Sequence, residues 1–494
     1  MIIDFKRRAR MGVLATLASA LALSACTTTG GSGEPASASA KAEDKFAATK
    51  AGDPVFASTY KPFPNVATAL KGATVYDGKG GKIENGVVFM SGGKIVAVGG
   101  PDTPIPADIA VFDGTGKFVT PGIIDIHSHL GDYPSPGVEA HSDGNEATAP
   151  TTPEVWAEHS VWPQDPGFSR ALANGGVTTL QILPGSANLF GGRTVTLKNV
   201  PARTMQGMKF PGAPYGLKMA CGENPKRVYG SRGQSPMTRM GNLAGYRAAF
   251  IEAQKYRQAW DKYEAANADD GKRRKKSSNG NGQPPTRDLR LDTLAGVLRG
   301  DIGVHIHCYR ADEMALMIDL AREFDFKIAA FHHGVEAYKL ADTLAEEGIC
   351  GALWADWWGF KMEAYDGIQE NIALVDRPKN GCAVVHSDSS EGIQRLNQEA
   401  AKVMVRGERV GMDLPPEHAI RWITTNAARA IGVADHTGLL AEGKMADVVV
   451  WNGNPFSVYA KAERVYVDGA LLYDRADPSR QPVTDFMLGQ EVSP

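Results

Sequence analysis

The stretch Val119–Gly131, VTPGIIDIHSHLG, constrains this chain more than any other. Pro121 and Gly122 punctuate it, and Ile123, Ile124 and Ile126 then form a short apolar run that reads as a buried strand. His127 and His129 sit at its C-terminal end. Residues i and i+2 share a strand face, so both imidazoles can converge on one ion. Neutral imidazole is a favoured ligand for zinc and other first-row divalent metals. An isolated His-x-His is explained as well by two histidines that merely alternate. Here the pattern recurs downstream, where short apolar runs end at Glu223, His307, His333 and Asp388. Six imidazole and carboxylate groups gathered at strand ends are hard to explain as packing, because unpaired buried polar groups are costly.

The spacing predicts eight strands, mostly alternating with helices. They begin at Ile123, Gly176, the NLFGGRTVTLK segment, Leu217, Ile302, Lys327, Ile349 and Cys382. The expected fold class is therefore α/β, a (β/α)8 TIM barrel spanning residues 121–435 with its chemistry at the strand C-termini. Period-2 alternation broken by glycine turns over 59–120 returns over 436–480. These flanks predict a small composite β-sandwich domain built from the N- and C-terminal segments.

At 494 residues and 43% hydrophobic, the chain has ample material for such a pair of domains. The net charge of −3 and the lack of a basic face exclude a nucleic-acid partner. Residues 1–26 read as a lipoprotein signal peptide. Lys6, Arg7, Arg8 and Arg10 precede the apolar Gly12–Leu23, and Leu23-Ser24-Ala25-Cys26 resembles a bacterial lipobox with Cys26 as the lipidated residue. Its removal leaves a net charge of about −6. Residues 27–58 read as a flexible linker. Thr27 in place of aspartate favours the outer membrane, facing the periplasm. The body touches a membrane only through that anchor. Cys221, Cys308, Cys350 and Cys382 lie in or beside apolar runs and read as buried free thiols, without a disulfide framework. The basic run within 271–286 reads as a solvated insertion.

VTPGIIDIHSHLG, VHIHCYRADE, AAFHHGVEAYK and VVHSDSSE together resemble the amidohydrolase superfamily, in particular its imidazolonepropionase-like and prolidase-like branch. The resemblance covers about residues 65–475 and extends to GLLAEGKMADVVVWNGNP near the C-terminus. It implies a metal-dependent hydrolase with His127, His129 and Asp388 around one divalent metal, and His307 and His333 around a second. The ions are expected to be two Zn, with Mn or Fe as alternatives. Many relatives bridge the ions with a carbamylated lysine. Here Glu223 is the preferred bridge because it stands at the strand's end, and Lys218, about 16 Å back along an extended strand, is the alternative.

The implied reaction is cleavage of an amide, cyclic-amide or small-peptide C–N bond by metal-activated hydroxide, with Asp388 as general base and then acid. The substrate is a small molecule or small peptide. Tyr229, Arg232, Arg310 and His386 are candidate substrate contacts, each with an ordinary structural reading beside it. Trp354, Trp357 and Trp358 either line a pocket or pack under a loop. His305, one layer below His307, and His332, expected on the opposite face from His333, are taken as structural. Two other functions stay open: a mononuclear deaminase or cyclic-amide hydrolase, and a non-catalytic envelope binding protein on the same scaffold. Oligomeric state, including a homo-oligomer, is likewise open. No GxSxG or phosphate-binding glycine loop supports serine-hydrolase or kinase chemistry.

Overall fold

The computed structural model describes residues 56–268 and 283–481. The expected leader with Cys26, most of the linker and most of the basic insertion lie outside the described residues. Alternating apolar and polar residues form β1 (Thr68–Tyr76), β2 (Lys82–Ser91) and β3 (Lys94–Gly99), then the short β4 (Ala110–Asp113) and β5 (Phe118–Pro121). Ser91 pairs with Lys94 across a two-residue turn, Gly92-Gly93, with φ +58° and +78°. That turn needs positive φ at both positions, which glycine adopts without strain.

The chain then enters β6 (Ile123–Ser128), β7 (Val177–Ile182), β8 (Phe190–Lys198), β9 (Gly216–Ala220), β10 (Gly303–His307), β11 (Ile328–His332), β12 (Cys350–Leu353) and β13 (Ala383–Val385). These eight are hydrogen-bonded in sequence order into a nearly closed barrel. One strand departs from the expected pattern. β8 runs antiparallel to both β7 and β9. The Leu183–Leu189 link before it is too short for a parallel crossover, which takes roughly a dozen residues. Helices α1 (Pro166–Gly175), α2 (Glu223–Gly230), α3 (Arg239–Ala268), α4 (Leu289–Arg299), α5 (Ala311–Phe324), α6 (Ala341–Glu346), α7 (Asn371–Asp376) and α8 (Leu396–Glu408) fill the other connections or follow the last strand. Outward residues such as Val304, Ile306 and Phe331 share one core with Met314, Met317 and Phe324 of α5. Ile124, Ile126, Ala330, Ala352 and Val384 belong to a second core.

After the barrel come β14 (Val448–Trp451), β15 (Ala462–Val467) and β16 (Ala470–Asp474). β14 pairs antiparallel with β5, Val449 opposite Thr120. Strands from either side of the barrel therefore share one sheet. The strands expected to build a sandwich are, however, all hydrogen-bonded into a single eight-stranded sheet. Among the described residues no helix is long and apolar enough to cross a membrane.

Three polar features hold this scaffold together. Between β13 and β6 no ladder closes the barrel; Asp125 does so instead. Its Oδ1 accepts from Ser387 N at 3.2 Å, its Oδ2 accepts from Ser387 Oγ, and Asp388 N donates to His127 O at 3.0 Å. The second feature corrects the thiol expectation: Cys221 is bonded to Cys308 and Cys350 to Cys382. Parallel pairing explains both. Ala220 lies opposite His307 and Gly351 opposite Ala383, so the flanking cysteines meet with Cα atoms 5.1 and 4.6 Å apart. A loop of 32 residues closed by the second bridge is worth about 4 kcal/mol in loop-closure entropy.

The third is a buried ion cluster joining barrel and sheet. Lys198 Nζ lies 3.0 Å from both Asp447 oxygens and 3.0 Å from Asp468 Oδ1. Tyr60 OH donates to Asp468 Oδ2 at 2.5 Å and Thr437 Oγ1 to Asp447 Oδ2 at 2.7 Å. Removing the cation would leave two buried carboxylates facing each other. We predict that Lys198→Met lowers unfolding stability by about 3–5 kcal/mol, measured by denaturant titration, whereas Lys117→Met, at the partly exposed ion pair with Glu463, costs about 1 kcal/mol or less.

Candidate metal centre

The barrel strands bring the histidines to one mouth. His127 lies near the end of β6 and His129 just past it; His129 Nε2 and His127 Nε2 are 3.1 and 3.4 Å from Asp388 Oδ1. His333 Nε2 is 3.7 Å from Asp388 Oδ2, and the His307 and His333 rings stand 4.9 Å apart. His333 has φ +60° and Asp388 φ +53°. Left-handed backbone is costly for such residues and clusters where geometry matters most. At His333 it explains a departure from expectation. The residue after β11 turns back, so His332 and His333 both reach His127, with ring centroids 4.7 and 4.4 Å away. The expectation that His332 faces away is corrected.

Glu223, the expected bridge, lies away from the histidines. β9 ends at Ala220, Gly222 turns the chain at φ +78°, and Glu223 opens α2. Its carboxylate faces Lys361 Nζ at 3.6 Å and is absent from the cavity wall. Lys218 takes the place beside the histidines, fully buried, with Nζ 3.4 Å from His127 Nε2. The register supplies the reason. Lys218 lies opposite His305, one layer below His307, and only a long side chain spans that layer to reach the mouth.

Burial, reinforced by the Lys218 charge, holds His127 and His307 well below the usual imidazole range; burial brings His305 and His386 down to about 3. Burial likewise pulls Lys218 down to about 8, with Asp388 opposing it. The imidazoles are therefore neutral, each with a lone pair to offer. Several of their nitrogens lack a partner: His307 Nδ1, His333 Nδ1 and both nitrogens of His386 are buried without a hydrogen bond. Two groups, His127/His129/Asp388 and His127/His333/His386, each present donor atoms within 4.8 Å of one another. A divalent cation is what such a donor set lacks, and the residues fit it.

Above the cluster opens a cavity of about 300 Å³ lined by Tyr133, Asn145, Asn224, Arg227, Tyr309 and Lys361 among others. Of the expected substrate contacts, none lines it. Tyr229 is buried, its OH donating to Ala149 O at 2.6 Å and near Asn188 Oδ1 at 2.5 Å. Arg232 donates to Ala147 O, and Arg310 pairs with Asp312 at 2.8 Å. His386 sits against His127 and His333, beneath the cavity wall. Trp354 stacks on His333 at 4.3 Å and so steadies a candidate ligand, while Trp357 is half exposed. Arg227 and Lys361, which sequence reasoning passed over, reach the cavity as Lys218 does. Both lie in connections after strand ends, and no periodicity marks them.

Comparison with known proteins bears on this arrangement. The family model described as "Amidohydrolase family" matches residues 382–473. A crystal structure of an amidohydrolase from Thermotoga maritima MSB8 is 35% identical with a TM-score of 0.72, covering 83% of this chain and 100% of that one. The chain belongs to the amidohydrolase family. That family comprises hydrolases acting on carbon–nitrogen bonds. "Amidohydrolase tasK" of Hapsidospora irregularis is 32% identical over 405 residues, 79% of this chain and 39% of that protein. An imidazolonepropionase of Shewanella halifaxensis (strain HAW-EB4) is 29% identical over 127 residues, 26% of this chain and 28% of that protein. The chain thus spans well under half the length of either of those relatives.

Tyr229 supports the loop over this amidohydrolase's cavity without facing it. Tyr229→Phe should therefore cost about 1 kcal/mol of stability, read as a lowered denaturation midpoint, while the affinity of any cavity ligand measured by calorimetry stays unchanged.

Proposed function

We propose that this chain is a metal-dependent hydrolase cleaving the C–N bond of a small amide, cyclic amide or short peptide that carries an anionic group. The observation that carries the reading is the convergence of His127, His129, Lys218, His307, His333 and Asp388 beneath a cavity with cations at its wall. His127, His129 and Asp388 would hold one divalent ion and His307 and His333 a second, and Lys218, after its amine adds CO2 and releases a proton, would offer a carbamate as a further ligand. Bound there, divalent ions supply an acidified water and polarise the scissile carbonyl.

The chain's own residues do the rest. Asp388 accepts the proton of the attacking water and delivers it to the leaving nitrogen as the C–N bond breaks, which yields a carboxylic acid and an amine. Arg227 and Lys361 supply the charge for the anionic group. Burial pulls Lys361 below the ordinary lysine range, and Arg227 adds to that pull against Glu223. A substrate carboxylate would relieve the repulsion between them. Localisation belongs to the same proposal: the chain is exported and tethered in the bacterial envelope through Cys26. The two disulfides support it, since such bonds persist in oxidising compartments and are rare in the cytosol.

Metal analysis of the purified chain supplied with zinc tests the centre. Two ions per chain are expected, with Lys218→Ala losing one and Glu223→Ala retaining both. One ion in the unmodified chain would favour the mononuclear deaminase or cyclic-amide hydrolase. None in a folded sample would favour a binding protein. Lys361→Ala should raise KM about tenfold for N-acyl amino acids, worth about 1.4 kcal/mol, and leave kcat and neutral amides little changed.

A further inference from the structure

The ring nitrogen of His127 that faces away from the mouth has an unusual partner. A metal-ligating histidine ordinarily donates its second N–H to a carboxylate, a carbonyl or water. His129 follows that pattern, with Nδ1 2.8 Å from Leu183 O. His127 Nδ1 instead meets His332 Nδ1 at 2.8 Å. His332 Nε2 meets His305 Nδ1 at 3.0 Å, and His305 Nε2 lies 3.5 Å from the Gln181 amide, which also contacts Thr194 Oγ1 at 3.1 Å. Every member is buried. The strand opposite leaves space for the line: a Cβ at Gly216 would sit 2.7 Å from His305 Cδ2 and 2.6 Å from Thr194 Oγ1.

We infer that His127, His332, His305 and Gln181 form one hydrogen-bonded line with two directions, and that loading His127 with metal selects between them. The inference rests on His127 being a ligand, as proposed above. A carbonyl only accepts, so one bond settles the tautomer of His129. A neutral imidazole has one donor and one acceptor nitrogen, so each histidine of the line passes its choice to the next. In one direction the Gln181 amide N–H donates to His305 Nε2, His305 Nδ1–H to His332 Nε2, and His332 Nδ1–H to His127 Nδ1. His127 then carries its proton on Nε2, the nitrogen beside Asp388 and Lys218, and cannot ligate through it. In the other direction the lone pair on His127 Nε2 is free for an ion. His127 Nδ1–H donates to His332 Nδ1, His332 Nε2–H to His305 Nδ1, and His305 Nε2–H needs an acceptor. A half-turn of the Gln181 carboxamide provides one in Oε1, which is buried without a partner in the first direction. Thr194 Oγ can serve both states, since its hydroxyl accepts in one and donates in the other. Each of the three imidazoles carries one proton in both directions, so the proton that leaves His127 Nε2 for water as the ion binds is matched by one that water returns at His305 Nε2, and the set stays neutral. His332, His305 and Gln181 are therefore positioning residues, acting on the metal through His127.

Nitrogen-15 histidine NMR of the whole chain, metal-free and then loaded with zinc alone, reads the tautomers directly. The metal-free chain should show Nε2–H at His127 with Nδ1–H at His332 and His305. The loaded chain should show Nδ1–H at His127 with Nε2–H at the other two. Persistence of Nδ1–H at His332 after loading, or an imidazolium at any of the three in either state, would overturn the inference. If zinc does not bind, the ligand reading fails, yet the metal-free tautomers still test the line. As an independent check, His305→Leu, whose imidazole hydrogen-bonds to no proposed ligand, should weaken zinc binding about tenfold or more in a competition titration. Unchanged zinc affinity in a folded His305→Leu chain would contradict it; should that variant not fold, the tautomers of the unmodified chain decide.

Discussion

The mouth of the barrel depends on a buried carboxylate. Asp125 joins the first barrel strand to the segment after the last one through Ser387, and it accepts from His127 N at 3.2 Å as well. A ladder between those strands would have required β13 to extend past Val385 into Asp388. The chain instead leaves the strand early, and Asp388 takes a left-handed conformation that aims its carboxylate at His127 and His129. Burial raises Asp125 to about 7, opposed by its hydrogen bonds to Ser387 and His127. The closure thus trades ladder hydrogen bonds for side-chain ones and gains a strand end free to carry a functional group.

Around that closure the polar groups are layered by side-chain length. Imidazoles at the ends of β6, β10 and β11 supply the upper layer, and His305, opposite Lys218, lies one layer below His307. Lys218 starts at the lower level and ends at the upper one. Glycine supports the layering where space is scarcest, at Gly216 beneath His305. Such a stack of buried polar groups is tolerable because the buried imidazoles are neutral and His127, His332 and His305 pair with one another.

The scaffold is fastened where a site of this kind needs rigidity. One disulfide ties the segments leaving β9 and β10, directly beside His307, and the other ties β12 to β13. Trp354 stacks on His333 and donates to Ser387 O at 3.3 Å, so the same indole touches a candidate ligand and the barrel closure. Lys198 with its two aspartates locks β8 to the terminal sheet. Rigid placement matters because preorganised groups lose nothing to reorganisation when charge develops.

The sequence by itself determined which strands exist, their order, and which histidines and which aspartate stand at their ends. Short apolar runs closed by polar residues carry that information locally. It also determined that both termini contribute to one β unit. Tertiary structure alone decided everything that depends on register or reach. The direction of β8, the pairing of Cys221 with Cys308 and Cys350 with Cys382, and the inward turn of both His332 and His333 follow from which residue lies beside which in a neighbouring strand. Lys218 stands beside the histidines and Glu223 does not for the same reason: position along a strand is written in the sequence, but the height a side chain attains above its layer is not. Arg227 and Lys361 reach the cavity, and Tyr229, Arg232 and Arg310 do not, because side chains on connecting segments are aimed by contacts remote in sequence.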